Sequence, residues 1–197
     1  MLQYIVFLGA GIQFLGGAAY VRDTLRGRTQ PNRVTWFLWM VAPFIGTAAA
    51  VTDGVGWVIL PVFMAGFVPL LVFVSSFINK RAYWKLGIFD YGCGAFSVLA
   101  LILWVLTQEP LVAIIFAIIA DGFAALPTLV KSWNHPETET IWPYATTIVG
   151  AFLGFLAVKT WSISEYAFSV YLIFICGAIL LAIWRERLML LVRPRIL

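Results

Sequence analysis

Long apolar runs, separated by short polar segments, recur seven times along the chain. A helix that crosses a hydrocarbon core needs about 20 apolar residues. By that measure the pattern predicts spans near residues 2–21, 34–52, 56–77, 86–107, 110–130, 141–158 and 164–183. The predicted fold is all-α, a seven-span polytopic membrane protein in one membrane domain. Seven is odd, so two three-helix units of equal orientation require one extra crossing between them. The expected division is 1–79 for the first three-helix bundle, 80–109 for a linker helix and 110–197 for the second bundle. This is a 3+1+3 arrangement of parallel repeats.

Composition agrees. The chain is 62% hydrophobic and 11% charged, against roughly 45–50% and 25% for soluble domains. The two cysteines, Cys93 and Cys176, fall inside apolar runs, and the single histidine, His135, lies in a loop. Neither a disulfide framework nor a metal set is expected, and the chain offers no sign of a cofactor.

Charge then orients the helices. With the N-terminus outside, 12 of the 13 Lys and Arg residues fall in inner segments and only Lys159 falls outside. The outer segments carry Asp53, Glu109 and Glu165 instead. This is the positive-inside bias, and it places the C-terminus in the cytoplasm and the chain in the cell membrane. The basic residues are read as topology determinants and anionic-lipid contacts, not as a nucleic-acid surface. The N-terminal run has no preceding Lys or Arg, so it is expected to be a retained helix rather than a cleaved signal.

Some polar residues break the apolar pattern. Asp121 lies near the middle of the fifth run, in a stripe with Ala117, Ala124, Ala125 and Thr128 at helical spacing. Gln13 lies in a matching stripe with Gly9, Gly16, Gly17 and Tyr20. Small residues at this spacing suit close helix packing. That does not account for a carboxylate in lipid, which needs a partner, a proton or a watery cavity. Prolines stand inside or at the edge of spans at Pro43, Pro61, Pro69, Pro127 and Pro143, where they break the hydrogen-bond ladder. Asp90 near the inner face is read as pairing with Lys85 or Arg81. Glu137 and Glu139 are read as acids complementing the dipole at the start of the sixth helix. Most tryptophans read as interfacial belt residues, with Trp39 and Trp142 placed to line a cavity as well.

A weak internal repeat supports the two-unit plan. A shift of 105 residues aligns Arg26 with Lys131, Pro31 with Pro136, Thr35 with Thr140 and Trp39 with Tyr144. The segment Pro127-Thr128-Leu129-Val130-Lys131, followed by a polar loop and a new span, resembles the signature of the PQ-loop superfamily. There a Pro-Gln pair near the inner end of a repeat's first helix precedes a basic residue. The 3+1+3 plan is similar to that of the SWEET-like carriers of the same superfamily. Thr128 replaces the glutamine, and the first repeat has Tyr20-Val21-Arg22-Asp23 in place of the proline pair. The resemblance implies a pocket between the two triplets that opens alternately at either end, with Pro127 as a hinge beside the inner gate.

The expected function is therefore transport of a small polar metabolite by alternating access, with no enzymatic step. Asp121 and Gln13 would hydrogen-bond the solute, and Thr128, Thr47, Thr146 and Thr147 would add hydroxyls. Trp39, Tyr144 and Tyr171 would supply flat surfaces, and Pro43, Pro127 and Pro143 would let the bundles rock. Asp121 would either carry a proton, coupling transport to it, or act as counter-ion to a cationic solute. A seven-helix sensor or an intramembrane scaffold is the rival class. A retinal pigment would need a lysine in the last helix, and the seventh run has none. An enzyme acting on lipid would need a nucleophile with its base or clustered metal ligands, for which the chain supplies little. Self-association is left open.

Overall fold

The computed structural model describes residues 2–52, 59–107, 109–155 and 163–192. These form seven α-helices: α1 (Leu2–Leu25), α2 (Arg33–Thr52), α3 (Leu60–Ile78), α4 (Ile88–Leu106), α5 (Pro110–Asn134), α6 (Trp142–Phe155) and α7 (Ile163–Val192). Each falls on one of the seven apolar runs, and no strand occurs among the described residues. Four helices, α3, α4, α5 and α7, are long and apolar enough to cross a membrane. The outer surface suits that solvent: on α4, Phe89, Phe96, Leu99, Ile102 and Leu106 are all exposed. Asp53, Trp57, Lys159, Trp161, Arg193 and Arg195 lie outside the described residues.

Local chemistry sets the helix ends. After α1, Gly27 adopts φ +70°, a left-handed conformation that costs glycine nothing. Asn32 caps α2, its Oδ1 accepting from the Val34 and Thr35 amides at 3.1 and 3.3 Å. On α4, Asp90 reaches back to accept from the Gly87 amide at 2.6 Å. Pro61 stands in the first turn of α3 rather than in its interior, where it removes no helical hydrogen bond. Pro143 stands likewise in the first turn of α6. Pro43, Pro69 and Pro127 lie within α2, α3 and α5.

The packing has a regular order. Helix α3 packs on both α1 and α2, and α7 packs on both α5 and α6. Between these groups α1 meets α6, and α2 meets α5. Helix α4 lies against α5 and α2 on the outside. The small residues of α1 explain its seat. A Cβ at Gly16 would strike the side chain of Thr146, and one at Gly17 that of Val68. Glycine thus lets α1 sit close to α6 and α3 at once, which bears out the packing role expected of these glycines.

Candidate functional site

Two polar regions stand out, one at an end of the bundle and one in its middle. At the end, the last turns of α1, α3 and α5 meet the first turns of α2, α4 and α6. Asn79 Nδ2 donates to the Leu25 carbonyl at 2.8 Å, and the Gln30 amide to the Thr138 carbonyl at 2.9 Å. Arg33 donates from Nη2 to the Ser76 carbonyl at 2.7 Å and stacks over Phe77 at 3.9 Å. Asn32 Nδ2 donates to Asp90 at 2.7 Å. Asp90 is therefore held by Asn32 and the Gly87 amide, not by Lys85 or Arg81 as expected. The short backbone turn after α1 points Asn32 inward, and that geometry outcompetes a surface lysine.

The centre of this end is Glu139. Its Oε2 accepts from Tyr20 at 2.9 Å and from Tyr144 at 3.0 Å. Its Oε1 stands 2.5 Å from Lys131 Nζ, an ion pair away from hydrogen-bond alignment. Both side chains are buried, and Lys131 also donates to the Gln30 carbonyl. Thr128 donates to Thr35 at 3.0 Å beside them, joining α5 to α2. Glu139 was expected as an acid complementing the dipole at the start of the sixth helix, and its contacts give it a different part. It is a buried hub contacted from α1, α5 and α6. Glu137 remains exposed, 3.5 Å from His135.

Above this hub an aromatic chain closes the floor. Trp36 lies 4.8 Å from Tyr20 and 5.3 Å from Trp39, and Trp39 lies 6.5 Å from Tyr144, centroid to centroid. Trp39 and Tyr144 are the pair that the 105-residue shift aligned, and here they touch.

Beyond the floor lies a cavity of two adjoining chambers, of about 120 and 560 Å³. The smaller reaches down to Trp36, Val68, Tyr144 and Cys176. The larger runs along Gly9 and Ile5 of α1, Val62 of α3 and Leu153 of α6, away from the hub. The larger falls in the range of small-molecule sites, about 300–1,000 Å³. Gln13, Pro43, Asp121, Thr147 and Phe168 line both.

Asp121 is half-buried and faces the cavity. Its Oδ2 accepts from the Tyr171 hydroxyl at 2.7 Å, and the Trp39 indole adjoins it. Gln13 Oε1, Trp36 Nε1, Trp39 Nε1 and Thr47 Oγ1 are buried without a protein hydrogen-bond partner. Among the described residues no Lys, Arg or His lines either chamber, and no group of three or more potential metal ligands occurs.

The expected site residues therefore divide. Asp121, Gln13, Trp39, Tyr144, Thr146 and Pro43 line the cavity, as does Pro143. Tyr171 is not among the lining residues and contacts the site through Asp121. Thr146 donates back to the Trp142 carbonyl at 2.9 Å, so its hydroxyl is already engaged. Thr47 is outside the lining set, and Thr128 is in the sealed end, bonded to Thr35. Pro127 is buried within α5 beside Thr128. Trp142 is exposed, as a belt residue would be, not in the cavity. Sequence reasoning missed Trp36 and the role of Glu139. Nothing in the spacing of Tyr20 and Glu139, 119 residues apart, signals that they meet.

The chain matches no family model, no curated protein and no solved structure.

Proposed function

We propose that this protein is a membrane carrier of a small polar metabolite, working by alternating access between two three-helix bundles. On this reading all seven helices cross the cell membrane in a 3+1+3 arrangement, with the N-terminus outside. α1–α3 and α5–α7 are the repeats, and α4 is the linker. The helix order supports it. The third helix of each triplet packs on the other two, and exchanging the triplets maps the α1–α6 contact onto α5–α2. The clustering of Arg33, Arg81 and Lys131 at the sealed end supports an inner location for that end. The PQ-loop resemblance rests on the residues around Pro127 alone.

One observation carries the reading: a cavity between the triplets, lined by a carboxylate and closed at one end by a buried polar hub. A purely structural bundle has no use for that hollow, and burying Asp121 beside it is costly. The geometry matches a carrier closed at the inner face. Inward opening would have to part Thr35 from Thr128, and Tyr20 from Glu139.

The test exploits the 3.0 Å Thr35–Thr128 contact. A Thr35→Cys/Thr128→Cys variant in liposomes should form a disulfide on oxidation. Uptake of labelled sugars, amino acids, vitamins and nucleosides is then compared in oxidised and reduced protein. Flux of at least one class that stops on oxidation and returns on reduction supports the carrier. Flux indifferent to a complete cross-link, or no flux of any class, counts against it.

A further inference from the structure

We infer that the solute is a small organic cation whose positive nitrogen pairs with Asp121 in the smaller chamber. The inference rests on the carrier reading and names the solute class of that site. Three observations carry it.

The first is charge balance. Asp121 has one hydrogen bond, from the neutral Tyr171, and a neutral indole beside it. Among the described residues it forms no ion pair and no cation lines the cavity. A carboxyl group away from bulk water needs either a matching charge or a proton, and a cation is what lets it keep its charge. The molecule itself provides the contrast. Glu139, more deeply buried, is given Lys131 from its own chain, whereas the half-buried Asp121 is given no cation. An anionic solute would add to the unmatched charge at an ionised Asp121 and is disfavoured on the same ground.

The second is the wall. Trp36, Trp39, Tyr144 and Phe168 line the smaller chamber together with Asp121. Ring faces attract an organic cation, most strongly where water is excluded. The third is the pair of unpartnered polar atoms there. Gln13 Oε1 is buried with no donor, and the Trp39 indole N–H lies beside Asp121 without an aligned hydrogen bond. A cation carrying N–H groups satisfies Gln13 and Asp121 together, and an oxygen or ring nitrogen elsewhere on it would satisfy Trp39.

Binding of benzylamine, benzyl alcohol and benzoate to the detergent-purified protein provides the test, since the three share one shape and differ in charge. Affinity is read by thermal shift and by quenching of tryptophan fluorescence. Benzylamine should bind, benzyl alcohol more weakly, and benzoate not at all. Asp121→Asn should bind benzylamine roughly tenfold or more weaker, as expected for a lost charge-assisted contact, with benzyl alcohol unchanged. Asp121→Glu, which restores the charge, should recover the preference for the amine and guards against misfolding of the Asn variant. The inference is overturned if benzyl alcohol or benzoate binds as well as benzylamine, if Asp121→Asn leaves amine binding unchanged, or if none of the three binds. The two readings fail separately. Cation binding without flux in liposomes would sink the carrier and leave the cation site. Flux of a neutral solute through Asp121→Asn would do the reverse.

Discussion

The sealed end and the central cavity are built from the same side chains, yet their balance differs. In the first, Glu139 is met by Lys131, Tyr20 and Tyr144, contributed by three helices. In the second, Asp121 is met by Tyr171 and otherwise by the cavity. Each is an enclosed carboxylate beside tyrosine and tryptophan. What separates them is whether the fold itself supplies the opposite charge. Where it does, the group holds helices together, and its loss should cost stability. Where it does not, the group is available to something that arrives from outside, and its loss should cost binding while the fold survives.

The contrast can be broken most directly at Lys131. Lys131→Met leaves Glu139 buried without its cation, and should cost about 3–5 kcal/mol in a detergent unfolding titration. Replacing both, as Lys131→Met with Glu139→Gln, should recover much of that loss. A silent single variant would mean that the hub holds nothing. Tyr20→Phe removes one donor to a charged acceptor and should cost about 1.5–3 kcal/mol by the same titration. The close seat of α1 on α6 gives the next test. Gly16→Ala presses a methyl group into Thr146 and should cost about 1–3 kcal/mol by overpacking. The drop should be smaller in Gly16→Ala/Thr146→Ser, measured as melting temperature. The smallest effect is expected at Asp121. Asp121→Asn should change stability by about 1 kcal/mol or less, since it trades an unmatched charge for a neutral amide that Tyr171 can still reach. A large stability loss there would show that Asp121 is structural like Glu139, and the distinction between the regions would fall.

Much of the helical framework was legible beforehand because it depends on local composition. An apolar run of 20 residues cannot leave its backbone polar groups unpaired in lipid and must form a helix. Asp121 was legible for a related reason: a carboxylate in such a run is costly wherever it lies, so its presence alone signals a purpose. Gln13 was singled out by helical spacing and Trp39 by its nearness to the repeat loop, and both line the cavity. Glu139 was misjudged because its distant partner could not be seen and its nearer ones meet it only through the turn after α5. Read locally, an acid just before a helix is a dipole partner. The packing of α1 on α6 brings Tyr20 to it, and the Pro136–Thr138 turn folding back on α5 brings Lys131. Thr128 was misplaced similarly. It shares a stripe with Asp121, but two turns along α5 the stripe has left the cavity and met Thr35 of α2.

By itself, then, the amino-acid order determined the all-helical character and the polar stripes. These follow from the free energy of moving each side chain and peptide group out of water, a property of the residue and its near neighbours. The tertiary structure alone decided which carboxylate has a partner. Matching of charge is a property of pairs, and Lys131 met the acid that the turn after α5 folded back within its reach.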